Sequence, residues 1–322
     1  MAETDNGGGH ARGDTEVSRP PGMAEAGAGE VVEHTLTAAD GRELGARTYQ
    51  GSGGDVVVIA PATGVPQRFY EDFARAITDR GPTVMTFDYR GIGASRKVHP
   101  RREPARKREW GELDIEAAIQ HAAVMAHRSG GRVLWVGQSA GICFLPLASS
   151  RHVPQRILSV SGLSGYWRLM APGERRRLWF GWHVLFPVIV GVMGYAPKRV
   201  WGGEDLPSGV MRDWGRWCRD PEYLFGDDTV DSSGYGDIVA PILAVRATDD
   251  PWATLASHGA LHDRFTRAEV EVRDVAPRDV GAERIGHIDL LRSSVGAPIW
   301  PELIDWLLAP TLPEDRSADA AN

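Results

Sequence analysis

From residue 30 onward the chain alternates short apolar runs with amphipathic ones, the pattern of a largely parallel sheet with helices on its faces. Two extended runs, 30–37 and 42–49, flank Ala39-Asp40-Gly41, a turn sequence that predicts a hairpin. Residues 55–60 are apolar and mostly β-branched with no polar face, which predicts a strand buried on both sides. Over 67–79 the spacing puts Phe69, Phe73 and Ile77 on one face of a helix. Further strands are predicted over 83–89, 132–136, 156–160, 242–245 and 270–275, and helices over 112–127 and 301–308.

Between 165 and 239 this alternation stops, and six of the 11 tryptophans fall there. The expected organisation is therefore a core of 30–164 and 240–310 with an inserted helical cap of 165–239. The segments 1–29 and 311–322, poor in apolar residues, read as disordered tails. Within the cap, 178–196 carries no charge and approaches the length that spans a membrane. Gly181, Pro187, Gly191 and Gly194 interrupt it, so a buried pair of lid helices is expected and stable membrane insertion is not.

Composition narrows the function. With 42% hydrophobic and 25% charged residues, the 322-residue chain should be globular. A net charge of -7 argues against nucleic acid as a partner. Two cysteines are too few for a disulfide framework, and the first 29 residues lack the apolar core of a signal peptide, so a cytoplasmic location is expected. No cofactor motif is present. His258 and His262 stand four apart on a predicted helix, but nothing completes a metal site, and a solvated helix face is expected. His183 in the cap reads as a packed histidine. The run 96–108 holds seven Arg or Lys residues; it reads as a solvated loop, with an anionic group or a carrier-protein surface as the alternative partner.

The strongest chemical signal is Gly137-Gln138-Ser139-Ala140-Gly141, placed directly after the predicted strand 132–136. Small residues on both sides of a serine are what a tight strand-to-helix turn requires, and that turn lifts the serine hydroxyl above the sheet. The neighbouring helix N-terminus favours negative charge there. Together with the segment from Phe87 to Ser95, this pentapeptide resembles the α/β-hydrolases, in the branch of lysophospholipase-like and serine-aminopeptidase-like enzymes. The resemblance runs over about residues 30–308 and is weakest in the cap.

It implies an α/β-hydrolase fold and a Ser-acid-His order along the chain. Ser139 would be the nucleophile. The acid would be Asp250, with Asp249 the alternative, since both follow the strand 242–245. His287, in Gly286-His287 beyond the last predicted strand, would be the base. The oxyanion hole would use the backbone N–H of Ala140 and of a residue in Pro61-Ala62-Thr63-Gly64, Thr63 in preference to Ala62. The family commonly has His-Gly at 61–62 and His before the serine, where this chain has Pro61-Ala62 and Gln138. Pro146 should kink the helix after the serine. The implied activity is hydrolysis of an ester or thioester, through an acyl-serine, of a small molecule with an apolar acyl or aryl group. An acyltransferase or cyclase with the same triad, or a non-catalytic binding protein, are the other classes.

Overall fold

The computed structural model describes Gly27 and residues 29–310; the expected tails lie outside these, but for Gly27 and Gly29. The first two strands, β1 (Val31–Thr37) and β2 (Glu43–Tyr49), form the expected hairpin. Then follow β3 (Val56–Ala60), helix α1 (Glu71–Thr78), β4 (Thr83–Phe87), α2 (Glu116–Ser129), β5 (Val133–Gln138), the single turn α3 (Ala140–Cys143) and β6 (Ile157–Val160). The eight-stranded sheet has the order β1-β2-β4-β3-β5-β6-β9-β10, where β9 is Ile242–Ala247 and β10 is Val270–Val275. Only β2 runs against the rest. Every residue of β3, β4, β5, β6 and β9 is buried, which is why these strands read as unbroken apolar runs rather than alternating ones. Parallel strands of this kind carry their functional loops at their carboxyl ends.

The segment 161–241, between β6 and β9, is mostly helical. A helix starts as α4 (Pro172–Phe180), widens to a π turn over Gly181–Leu185 and continues as α5 (Phe186–Met193) to Gly194, whose φ of 76° ends it. Pro187, which has no N–H to donate, follows directly on the π turn, where the helix bends. The expected buried pair of lid helices is thus corrected: one bent helix runs through Gly181, Pro187 and Gly191, and it exposes Trp179, Phe180, Val184, Val188 and Val192. No helix among the described residues is long and apolar enough to cross a membrane. A short antiparallel ribbon follows, β7 (Tyr195–Ala196) with β8 (Leu206–Pro207), enclosing α6 (Lys198–Trp201). Last comes α7 (Ser208–Arg219), which buries Val210, Met211, Trp214, Trp217 and Cys218.

The basic run 96–108 is not a solvated loop throughout, and the reason is electrostatic. Arg106 makes a two-pronged ion pair with Asp213 of α7 at 2.9 and 2.6 Å. Arg96 reaches Glu204 at 3.0 Å, and Arg108 donates to the Thr229 carbonyl at 2.9 Å. Lys107 is buried outright. These groups fasten the insertion to the core.

The helix expected after Ser139 is also shorter than its apolar sequence suggested. It stops after Cys143, and Leu145–Leu147, containing Pro146, form a 3-10 turn. The remaining helices are α8 (Leu255–His262), α9 (Ser293–Gly296) and α10 (Trp300–Leu308).

On α8 the expected solvated histidine face is corrected too. His258 and His262 are 3% and 5% exposed, and their rings stack with centroids 4.0 Å apart. His262 also lies 2.9 Å from the buried Ser159 hydroxyl of β6, so this helix face packs against the sheet. No group of three or more His, Cys, Asp or Glu among the described residues could hold a metal.

Burial disfavours the charged imidazolium. It pulls His258 down to about 3, and His121 and His262 to about 4, from an ordinary value of 6.5. The unfolded chain therefore binds more protons than the folded one between about pH 4 and 6.5. Stability is complete above 6.5 and falls as pH drops through this window. Burial lowers His34 as well, while Asp88, Glu112 and Asp114, raised by burial, act in the opposite sense but are outnumbered four to three. Urea unfolding at about pH 7 and about pH 4.5 should give the lower midpoint in acid; an unchanged or higher midpoint would contradict this account of the buried histidines.

Candidate active site

Strand β5 delivers Ser139 with φ 50° and ψ −103°, a left-handed backbone that a non-glycine residue holds only under constraint. The constraint is close packing. A Cβ on Gly137 would lie 2.7 Å from the Gly141 carbonyl carbon, and one on Gly141 would strike the Ala60 carbonyl oxygen of β3. The Ser139 N–H donates to the Val160 carbonyl at 2.9 Å, tying the turn to β6.

The loops after β9 and β10 bring two more groups to the serine. Asp250 Oδ2 lies 2.7 Å from His287 Nδ1, and His287 Nε2 lies 3.1 Å from Ser139 Oγ. Asp250 Oδ1 accepts the N–H groups of Trp252 and Ala253 at 2.8 and 3.0 Å. Burial pushes this carboxyl up, but His287 and these two donors outweigh it, and the net is below its ordinary value. An ionised carboxylate only accepts, so the neutral imidazole carries its proton on Nδ1 and Nε2 is free to accept from the serine hydroxyl.

Asp249 faces elsewhere. It accepts the Ile285 and Gly286 N–H groups at 2.9 and 3.1 Å and so holds the loop that carries His287.

The loop after β3 completes the ring. The Ala62 N–H donates to the Tyr70 hydroxyl at 2.8 Å, and that hydroxyl donates to Gln138 Oε1 at 2.7 Å. The Gln138 amide in turn donates to the Ile288 carbonyl at 2.9 Å. Gln138, the residue that departs from the family's common histidine, therefore ties the serine turn to both neighbouring loops. The Ala62 N–H is spent in this chain of bonds. Among the described residues, the N–H groups of Thr63 and Ala140 have no such acceptor, and both residues line the same cavity as Ser139. Gly64, at φ 66°, lies beneath the Trp201 ring, which leaves no room for a Cβ.

That cavity encloses about 470 Å³. Its floor is Ser139, Ala140, Thr63 and His287; its walls are Met170, Leu178, Trp182, Trp201, Trp214 and Tyr223 from the insertion, with Trp252 from the core. Trp252 packs on His287 at 5.2 Å between ring centroids. Glu174 and Arg177, which pair with one another, are among the few charges in the lining. His183 is not part of this cavity: its ring packs between those of Trp167 and Trp179, on the exposed side of the helix. Tyr70, Trp252 and Lys107 carry no sequence motif and emerge only from the folded arrangement.

No protein-family model matches the chain, and no curated protein matches its sequence. Solved structures do match its fold. An esterase from Exiguobacterium antarcticum superposes with a TM-score of 0.55 at 16% identity, covering 86% of this chain and all of its own. A soluble variant of monoglyceride lipase from Saccharomyces cerevisiae gives 0.58 at 12% identity, over 89% and 96%. An esterase from Pyrococcus furiosus gives 0.55 at 12%, over 93% and 100%. The fold is that of the α/β-hydrolases.

The packing at the turn sets an expectation. Because the Cβ of Gly141→Ala would meet backbone rather than a movable side chain, the substitution should cost about 3 kcal/mol or more. Urea unfolding of the variant reads this directly; a midpoint equal to wild type would show that the turn is not held by that contact.

Proposed function

We propose that the protein is a serine hydrolase that cleaves an ester or thioester with an apolar acyl or aryl group. The observation that carries the reading is the unbroken line of hydrogen bonds from Asp250 through His287 to Ser139, at 2.7 and 3.1 Å, on the floor of an aromatic-walled cavity. In this reading His287 Nε2 takes the Ser139 proton as Oγ attacks the carbonyl carbon. The developing oxyanion takes hydrogen bonds from the Ala140 and Thr63 N–H groups, beside the N-terminal end of α3. His287 then gives the proton to the leaving oxygen or sulfur. Water, deprotonated by the same nitrogen, attacks the acyl carbon and releases the acid as the acyl–Oγ bond breaks, and His287 returns that proton to Ser139 Oγ. Asp250 keeps its charge throughout and fixes the imidazole tautomer.

The segment 165–239 acts here as a cap that supplies the acyl pocket. Its tryptophans bury large area with little side-chain entropy to lose, and they offer no charge to stabilise a peptide substrate. The reading sets the protein in the cytoplasm acting on a small molecule, without a cofactor.

Two measurements test it. Turnover of acyl esters by Asp250→Asn should fall about 10⁴-fold in kcat, with Asp249→Asn much less affected and acting through the stability of the His287 loop; equal losses, or the reverse order, would take the acid role from Asp250. Across a series of straight-chain acyl esters, each added methylene should raise kcat/KM about four-fold until the cavity is full, as burial of one CH₂ is worth about 0.8 kcal/mol. A flat series would remove the acyl pocket while leaving the serine chemistry standing.

A further inference from the structure

Lys107 is the one lysine of the basic run that the fold buries, at 1% exposure. Its Nζ sits 4.3 Å above the Trp214 ring, 4.6 Å from Trp110 and 5.4 Å from Phe144. Among the described residues no carboxylate comes within ion-pair distance of it. Asp213 is close, but accepts from Lys107 only its backbone N–H, at 3.1 Å, while pairing with Arg106 and Arg216. An unpaired buried cation is costly, and aromatic faces offset only part of that cost. An apolar residue would fill the same space without the penalty. The ammonium makes one hydrogen bond of its own, to Thr63 Oγ1 at 2.7 Å.

Donor polarity gives that bond a consequence. An ammonium has three donors and no acceptor, so Thr63 Oγ1 must accept from it, and the hydroxyl hydrogen is left over. No acceptor for that hydrogen exists among the described residues. Thr63 lines the cavity with Ser139 and Ala140. We propose that the Thr63 hydroxyl, beside its backbone N–H, donates to the substrate's carbonyl oxygen, and that Lys107 is the positioning residue that keeps this hydroxyl turned towards the cavity. The proposal rests on the serine-hydrolase reading. The hydroxyl proton stays on Thr63 as charge builds on the carbonyl oxygen, so no proton is gained or lost in the step.

The arrangement depends on the charge of Lys107. Burial pushes its ammonium down to about 7. The groups facing it are Thr63 from the loop after β3, Cys143 from α3, and Cys218 and Asp213 from α7. Burial pushes both thiols up, Cys143 to about 12, so they stay neutral, and Asp213 pairs with Arg106 and Arg216. Once deprotonated, the Lys107 amine offers a lone pair that can take the Thr63 hydrogen, and the donor into the cavity is lost.

The test compares wild type, Thr63→Val and Thr63→Ser on one acyl ester, with kcat expressed per site labelled by a fluorophosphonate probe. At about pH 6, Thr63→Val should lose about 10²-fold in kcat with KM changed less than about two-fold, while Thr63→Ser keeps most of the wild-type rate. The wild-type to Thr63→Val ratio of kcat cancels titrations common to both enzymes, and it should shrink as pH rises through about 7 towards about 8.5. A wild-type kcat in Thr63→Val would overturn the hydroxyl's role, and a large ratio that does not change with pH would overturn that of Lys107. Failure of the underlying reading looks different: the wild type itself would take no label.

Discussion

The backbone at Ser139 is the constraint on which the rest of the arrangement depends. Its φ of 50° costs energy for a residue with a side chain, and the fold holds it through the crossing of β5, α3 and β3 at van der Waals distance and the bond from the Ser139 N–H to the Val160 carbonyl. Gly137 and Gly141 allow that approach because each lacks the Cβ that would collide. Once the turn is set, the hydroxyl stands at the carboxyl end of the sheet, where the loops after β3, β9 and β10 converge. Each loop is then fixed to the turn or to its neighbour by buried and half-buried polar bonds: Tyr70 and Gln138 on one side, Asp250 and Asp249 on the other. Such networks are expensive unless every member is satisfied, and here the bonds run in a chain from loop to loop.

The insertion is held by a different kind of force. Its aromatic side turns inward, with Trp182 and Trp214 at 4.9 Å and Trp201 and Trp214 at 5.6 Å between ring centroids. Its acidic residues Asp213 and Glu204 take the cations of the 96–108 run. Trp201 presses on Gly64, and the Glu204 N–H donates to the Gly64 carbonyl at 2.8 Å, so the same segment that walls the cavity also clamps the loop carrying Thr63. The wall of the cavity and the loop carrying Thr63 are thereby joined in one packing arrangement.

How much of this a reader of the sequence could obtain follows from the range of each interaction. The serine turn was legible because its determinants are five consecutive residues after an apolar strand. The central strands were legible because burial on both faces removes polar residues from them. The burial of His258 and His262 was not, since it depends on α8 packing against β6, where His262 meets Ser159 from 103 positions earlier. Nor was the fate of Lys107, which lies in a charged run and is drawn inward by Trp214, more than a hundred positions later. The helix running on from Pro172 misled for another reason: a run with no polar face gives periodicity nothing to measure, and its exposed valines look the same as buried ones. Asp249 and Asp250 are adjacent and chemically identical; only the hydrogen bonds separate a partner of His287 from an anchor of its loop.

The central claim is that the hydroxyl at this strained turn is the reactive group of the protein. The most direct measurement is the intact mass of the chain after treatment with a fluorophosphonate probe, followed by peptide mapping, for wild type and Ser139→Ala. The account predicts a single adduct on wild type, on the peptide containing Ser139, and none on the variant. An adduct that persists in Ser139→Ala, or maps to another serine, would contradict it.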